Sequence, residues 1–246
     1  MKIAFIGHGN MAKAMIKGIL DSGIICEKDI FASDTDDENQ QAVDFADYIF
    51  LTIKPDMFEH IIPQLERKSG KVFITVSPGI KTTFMDAKVI RTMPNTPALV
   101  GEGVTAICRG KGVTDAEFED VKKLLSTFSD VYEFDETMMD YTIAISGSSP
   151  AYAYIFIEAM AEYGAKYGIG YETAKKMAAK TLLGAAKMVL ESDESPGELC
   201  AKVCTKGGTT VEAVAKLAEL DFAGTVMEAM EACTKRAVEM YKPGFK

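Results

Sequence analysis

The first residues of the chain follow a pattern of strand, glycine turn and helix. An apolar run over Ile3–Ile6 ends at the turn Gly7–Ala12, and a helical apolar period continues to Leu20. Glycine lets the backbone turn sharply off a strand and approach a pyrophosphate closely, while the small Ala12 lets the new helix pack on the sheet. A phosphate there meets unpaired N–H groups and the positive end of the helix dipole. The pattern predicts dinucleotide binding rather than a purely structural turn.

The composition is that of an ordinary globular protein. A length of 246 residues with 48% apolar residues is enough for two modest domains. The net charge of -9 and the lack of a long Lys/Arg run argue against nucleic acid or an anionic membrane as partner. No apolar stretch is long enough to span a membrane, and the N-terminus lacks a signal-peptide pattern. We expect a cytoplasmic protein whose partners are small molecules and its own copies.

The five cysteines are scattered and contain no C-x-x-C motif. Cys200 and Cys204 would share a helix face, but no histidine lies near them in sequence to complete a metal site. The cysteines therefore favour reduced, partly buried thiols over a disulfide framework or a bound metal.

The two halves of the chain have different patterns. Residues 1–137 alternate short apolar stretches with helical patterns, which predicts an α/β dinucleotide-binding domain with a Rossmann-like, doubly wound parallel sheet. A capping-box pattern at Thr114 predicts a further helix over Ala116–Phe128. The predicted strands are Lys2–Ile6, Asp29–Ser33, Tyr48–Ile53, Lys71–Val76, Lys88–Thr92, Val104–Cys108 and Val131–Phe134.

Residues 138–246 show helical spacing throughout and predict an all-α substrate and dimerisation domain. Between residues 151 and 167 the charged residues are Glu158, Glu162 and Lys166, which form one narrow stripe on an otherwise apolar helix. Such a helix needs partners nearly all round, and a handful of helices from one chain barely provide them. We therefore expect two copies to interdigitate their helical halves into one bundle, giving a homodimer.

The acidic residue expected to hold the adenosine ribose follows the second strand, about 20 residues after the glycines. Asp34 lies at that position, next to the acidic residues 36–38, and no Lys or Arg occurs within residues 30–53. This cluster should repel the additional phosphate of NADPH, which predicts a preference for NADH. Taken singly, residues 36–38 fit a solvated loop equally well.

Two segments after other strands are further candidates for the cofactor site. Residues 93–97 carry two prolines and follow the fifth strand, where open α/β sheets place their ligands. A rigid loop and a wall beside the nicotinamide are equally compatible with this segment. Lys54 and Pro55 end the third strand similarly, and Lys54 fits a solvated lysine as well as a ligand contact.

Two helix starts stand out in the second half. Ser149 is expected to be an N-cap with Pro150 at the first helical position, and Thr209 an N-cap with Glu212 three residues on. Capping does not explain the glycine pair 207–208, which would let backbone amides approach a ligand such as a carboxylate. The hydroxyl of Thr210, one residue beyond the predicted cap, has no role in capping and is available for another partner.

The chain has only two histidines, His8 in the glycine turn and His60 on a predicted helix. A histidine acid/base of the kind used by hydroxyacid dehydrogenases is therefore not available.

Four segments taken together, 6–12, 90–100, 145–152 and 203–213, closely resemble the motifs of pyrroline-5-carboxylate reductases. Their order and spacing match from about Lys2 to Tyr241. The resemblance implies the last step of proline synthesis, in which a hydride from NAD(P)H reduces the C=N bond of 1-pyrroline-5-carboxylate at C5 and gives L-proline. The resemblance is also compatible with a larger ring assembled from several homodimers.

The proposed chemistry needs little more than positioning, because a protonated imine loses its positive charge as hydride arrives. Thr210 is the catalytic candidate, hydrogen-bonded to the ring nitrogen, and by resemblance Thr205 and Thr210 face the substrate. The other substrate candidates are Val203, Gly207, Gly208 and Thr209, with backbone amides for the carboxylate. The cofactor candidates are Gly7, His8, Gly9, Asn10, Met11, Ser33, Asp34, Ile53, Lys54, Pro55, Asn95 and Thr96.

The chain departs from the family pattern at three places. Lys206 occupies a position where the family usually has proline, which brings a cation close to the expected carboxylate site. Thr205 occupies a position where the family usually has serine, and the hydroxyl is kept. Residues 34–47 are short for the usual helix and further strand, and we expect little more than one helical turn before Tyr48.

Three alternative functions remain at this point. A β-hydroxyacid dehydrogenase would resemble its relatives by a lysine on the helix after a Ser-Gly motif, but here no lysine occurs until Lys166. An imine reductase acting on another cyclic imine is not excluded by that difference. A non-catalytic nucleotide sensor would need the glycine turn but not residues 207–210.

Overall fold

The apolar stretches of the N-terminal half form seven strands in the computed structural model, which describes residues 1–66 and 68–240. The strands are β1 (Ile3–Ile6), β2 (Ile30–Ser33), β3 (Tyr48–Leu51), β4 (Val72–Thr75), β5 (Lys88–Met93), β6 (Gly103–Arg109) and β7 (Ser129–Glu133). They form one sheet in the order β2-β1-β3-β4-β5-β6-β7. All neighbours within β1–β5 are parallel, which places their carboxyl ends at one edge.

The predicted parallel sheet is confirmed for every neighbouring pair except β5 and β6, where the prediction is wrong. Strand β6 runs antiparallel to β5, with Ile90 opposite Arg109 and Met93 opposite Ala106, and β7 is parallel to β6. Only residues 94–102 connect β5 to β6. A parallel crossover needs about a dozen residues or more, so this short connection returns the chain in the opposite direction.

Helices cover both faces of the sheet. They are α1 (Asn10–Ser22), α2 (Asp36–Phe45), α3 (Phe58–Ile61), α4 (Asp115–Leu125) and α5 (Met139–Thr142). One buried cluster contains Phe5 and Phe50, whose rings stack at 4.8 Å, and the cluster on the other face contains Ile6 and Phe58. The alternation of side chains along each strand feeds both clusters, as expected for a doubly wound fold.

The expectation of little more than one turn within residues 34–47 is wrong. Helix α2 has ten residues, and its inward side chains include Ala42 and Val43. It begins three residues after the end of β2 and ends three residues before β3, so residues 34–47 contain the helix but no further strand.

All elements after β7 are helical among the described residues. A π-helical turn at Ile143–Gly147 follows α5 and leads into α6. The remaining helices are α6 (Ser149–Lys166), α7 (Tyr171–Glu191), α8 (Pro196–Val203), α9 (Thr209–Glu219) and α10 (Phe222–Glu239). Ser149 is not the predicted N-cap, because the chain is already helical there and its hydroxyl donates to the Ile145 carbonyl at 2.5 Å.

The described residues form two compact units, residues 1–150 with 231–240 and residues 151–230. In the second unit the buried apolar side chains are alanines, at positions 161, 174 and 178. A Cβ on Gly164 would lie 2.4 Å from the Ala174 Cβ, so α6 and α7 pack closely at this point. The division predicted after residue 137 lies just before α5 and stays a prediction.

Candidate functional site

The turn between β1 and α1 has the form that a pyrophosphate requires. Gly7 has a φ of +93°, and a Cβ there would lie 2.9 Å from Ile53 Cγ2 and 3.0 Å from the Thr52 carbonyl oxygen. Gly9 is the N-cap of α1 and no side chain caps the helix. A Cβ on Gly9 would have no atom within 4 Å, so the space in front of the first-turn amides of Asn10 and Met11 is open. These residues fit a dinucleotide phosphate.

Hydrogen bonds join the loops at the carboxyl ends of the strands. The Gly7 amide donates to the Ser33 carbonyl at 3.2 Å, and the Thr52 hydroxyl donates to the Gly7 carbonyl at 2.5 Å. The Ser77 hydroxyl donates to the Ile53 carbonyl at 2.6 Å. The sequence analysis missed Thr52 and Ser77; the signal was a hydroxyl side chain at or just beyond the end of an apolar strand.

At the end of β2 the structure brings the two predicted adenosine-side groups together. The Asp34 carboxylate is exposed and lies 3.5 Å from His8 Nδ1, so the first glycine turn and the second strand end meet. The Ser33 hydroxyl is buried and donates to Asn39 Oδ1 at 2.6 Å. Asn39, on α2, therefore fixes Ser33 and is a third positioning residue, besides Thr52 and Ser77, that the sequence analysis missed.

The segment after β5 is held by Asn95. Its side chain is buried, donates to the Ser146 carbonyl at 3.1 Å and accepts the Val104 amide at 2.9 Å. Asn95 also lines a cavity of about 380 Å³ together with Thr142 and Ser146. Asn95 thus holds the loop in place beside this cavity, and the neighbouring Thr96 is exposed.

The end of β3 offers one exposed cation. Ile53 is buried, Lys54 is exposed, and Pro55 starts a single 3-10 turn over Pro55–Met57. Lys54 and Pro55 both lie beyond the end of β3 at Leu51, and the exposed Lys54 side chain is open to solvent.

In the second unit, the loop between α8 and α9 carries the predicted substrate residues. Gly207 has a φ of +75°, a conformation that favours glycine. Thr209 is not the predicted N-cap: the N-cap is Gly208, no side chain caps the helix, and Thr209 is its first residue. The consequence is that the first amides of α9 have no side-chain acceptor in front of them, as an anion would need.

Inside this loop the Gly208 amide donates to the Thr205 carbonyl at 2.9 Å. A Cβ on Gly208 would lie 2.7 Å from Thr205 Oγ1, so the glycine makes room for that hydroxyl. Thr205 and Val203 are exposed and Thr210 is half-buried. The pKa of the adjacent Cys204 thiol is raised, first by desolvation and second by its contact with Cys200.

Comparison with known proteins gives two family matches. Residues 136–240 match the model described as pyrroline-5-carboxylate reductase dimerisation, and residues 2–79 match the model described as NADP oxidoreductase coenzyme F420-dependent. The Escherichia coli K12 pyrroline-5-carboxylate reductase is 36% identical over an alignment of 265 positions, which covers 98% of both chains. The chain belongs to the pyrroline-5-carboxylate reductase family.

Solved structures of pyrroline-5-carboxylate reductases agree with this assignment. The Streptococcus pyogenes enzyme is 31% identical with a TM-score of 0.86, covering 97% of this chain and 98% of that one. A Plasmodium falciparum pyrroline carboxylate reductase, solved with NADP bound, is 29% identical with a TM-score of 0.91 and 98% coverage of both chains. The dehydrogenase and sensor alternatives do not account for a match of this length.

As a pyrroline-5-carboxylate reductase, the chain is an NAD(P)H-dependent oxidoreductase. It reduces 1-pyrroline-5-carboxylate to L-proline, the last step of proline biosynthesis. Among residues 1–66 and 68–240, no group of three or more His, Cys, Asp or Glu side chains is placed to hold a metal ion. In the same part of the chain, no helix combines the length and apolar character needed to cross a bilayer.

Proposed function

We propose that the reductase divides its two binding tasks between its units. Residues 1–150 hold NAD(P)H along the carboxyl edge of the sheet, and the loop 205–210 holds the carboxylate of 1-pyrroline-5-carboxylate. The observation that carries the second assignment is the uncapped start of α9 behind Gly207 and Gly208. A carboxylate there accepts from the first amides of the helix and is favoured by its dipole.

NAD(P)H, when bound, supplies the hydride that reaches C5 of the ring. The protein has no need of an acid at that carbon, because the protonated imine becomes a neutral amine as the hydride arrives. We assign the Thr210 hydroxyl to the ring nitrogen and the Thr205 hydroxyl to the carboxylate. The Gly208 amide already donates to the Thr205 carbonyl. The backbone donors to the carboxylate are therefore the amides of Gly207 and of the first turn of α9.

A glycine substitution tests the loop assignment. Gly207→Ala places a Cβ on a backbone with a φ of +75° and should disturb the loop. We expect KM for 1-pyrroline-5-carboxylate to rise at least about tenfold while the dissociation constant for NADH stays the same. Gly168→Ala is the matched control, because Gly168 has a φ of +85° and open space around it. An equal KM for the two variants would remove the loop from substrate binding.

The preference for NADH over NADPH is part of the proposal. Asp34 lies at the position expected to hold the adenosine ribose, and the exposed Asp36 and Asp37 follow it. A phosphate dianion on the ribose would face this negative charge at short range.

The homodimer is also part of the proposal. In the second unit, large apolar side chains are exposed along α6 in a single chain, among them Ile155 at 70% and Tyr163 at 66%. Exposed apolar surface on this scale is typical of an interface. A second copy provides the cover, in line with the dimerisation family that residues 136–240 match. A ring of such dimers and a cytoplasmic location stay predictions.

A further inference from the structure

Helix α2 begins just after the end of β2, where the adenosine ribose is proposed to bind, and its first turn carries the carboxylate of Glu38. A phosphate on the ribose would need an anion-binding site at the same place. Glu38 is half-buried on the first turn of α2. Its Oε2 accepts the backbone N–H of Asp34 at 2.9 Å and of Thr35 at 3.3 Å. Two consecutive amides that follow β2 therefore converge on one fixed negative charge.

The other capping boxes of the described chain lack this feature. At the start of α4, Glu117 Oε2 accepts the amide and the hydroxyl of Thr114 alone. At the start of α8, Glu198 Oε2 does the same with Ser195. Among the capping boxes of residues 1–66 and 68–240, only the one at α2 has a glutamate that also accepts the amide of the residue before the N-cap, and that residue is Asp34, the proposed ribose ligand.

Backbone amides at a strand end in front of a helix are the usual donors to a phosphate. At α2 two of these donors are already occupied by Glu38, and the occupying group is itself an anion. A 2′-phosphate on the ribose would have to displace the carboxylate or lie beside it. A ribose hydroxyl needs neither change, because it can donate to the nearby exposed Asp34.

We propose that Glu38 is a specificity-determining residue, an internal anion that occupies the donors available to a 2′-phosphate and so weakens the binding of NADPH relative to NADH. This inference rests on the proposed preference for NADH. Glu38 is a positioning residue toward the cofactor and takes no part in the reaction at C5.

The test is binding of two cofactor fragments, measured by calorimetry at low ionic strength, where charge effects are least screened. The probes are adenosine 2′,5′-bisphosphate and adenosine 5′-monophosphate, which differ by the 2′-phosphate. For Glu38→Ala we expect the dissociation constant of the bisphosphate to fall at least about tenfold, and that of the monophosphate to change less than about twofold. Glu38→Gln removes the charge and keeps an acceptor, so it should show a smaller gain in the same direction.

Glu117→Ala is the matched control. It removes the same kind of cap from α4, together with an ion pair to Lys88 at 2.7 Å, so its thermal destabilisation should be at least as large. Its fragment affinities should equal those of the wild type. A bisphosphate affinity unchanged in both folded Glu38 variants would overturn the inference.

The outcome for the wild type is separate. If the wild-type protein binds the bisphosphate more tightly than the monophosphate, the proposed NADH preference fails, whatever the variants do. If the wild type prefers the monophosphate and the variants match it, the preference stands and the role of Glu38 is wrong. The kcat/KM ratio for NADPH over NADH should rise in parallel with the fragment affinities.

Discussion

The guanidinium of Arg91 on β5 is completely buried and forms an ion pair with the carboxylate of Asp140 on α5, with Nη2 and Oδ1 2.5 Å apart. In the described part of the chain, Arg91 Nε and Nη1 have no hydrogen-bond partner. The Asp140 carboxylate is therefore the group that compensates the buried positive charge of Arg91. The pair fixes the short helix that leads from the sheet into α6.

Removing the carboxylate should destabilise the protein strongly. For Asp140→Asn we expect the free energy of unfolding to fall by about 3–5 kcal/mol, because an uncompensated cation is left buried. Asp130→Asn, at an exposed carboxylate on β7, should change it by less than about 0.5 kcal/mol. Urea denaturation measures both values, and equal midpoints for the two variants would contradict this role of the pair.

Cys108 gives an independent readout of the same region. It lies opposite Arg91 in the sheet, and burial, followed by the charge of Glu136, raises the pKa of its thiol to about 11, with Arg91 acting in the opposite direction. Because the pKa is raised, the thiol stays protonated and unreactive at pH 8 in the folded protein. Asp140→Asn destabilises this region and leaves the charge of Arg91 uncompensated. Labelling of Cys108 at pH 8 should therefore be faster in this variant than in the wild type.

Thr210 should affect the chemical step through its hydroxyl. Thr210→Val keeps the shape and loses the hydrogen bond to the ring nitrogen, so we expect kcat/KM for 1-pyrroline-5-carboxylate to fall about 10- to 100-fold, or about 1.4 to 2.8 kcal/mol. Thr210→Ser keeps the hydroxyl and should retain most of the activity. Steady-state kinetics at saturating NADH decide the point, and full activity of the valine variant would remove Thr210 from the mechanism.

Light scattering tests the dimer. Ile155 is 70% exposed in one chain, and Ile155→Asp would place a charge in the interface that α6 is proposed to form. We expect the wild type to have at least the mass of a dimer and the variant to have the mass of a monomer at low micromolar concentration. Ile24→Asp, at an exposed isoleucine just after α1, should keep the wild-type mass. A folded wild-type monomer would be the contrary result.

Much of the fold could be predicted from the sequence because the signals are local. Each predicted strand lies within a few residues of an observed one, and the turn at Gly7 has the backbone that its glycine implied. The direction of β6 could have been predicted too, since residues 94–102 are too few for a parallel crossover. Helix α2 is longer than predicted because the prediction compares the length of residues 34–47 with a family pattern and not with the length that a ten-residue helix needs.

The site was harder to predict where side chains bond across distant segments. Thr52 reaches Gly7 and Asn95 reaches Ser146, pairs that are 45 and 51 residues apart in sequence. Asn39 and Ser33 are only six residues apart, but their bond joins α2 to the end of β2 and depends on the helix that was not predicted. The local pattern at Thr209 predicts a helix start, and the observed N-cap lies one position earlier, at Gly208. A Cβ at this position would lie 2.7 Å from Thr205 Oγ1.

One assay tests the proposed function most directly, the oxidation of NADH and of NADPH in parallel by the purified protein with 1-pyrroline-5-carboxylate. We expect both cofactors to be oxidised with formation of L-proline, and kcat/KM to be higher for NADH. A kcat/KM about tenfold or more in favour of NADPH would contradict the proposed adenosine site, and no oxidation of either cofactor would contradict the reductase activity itself.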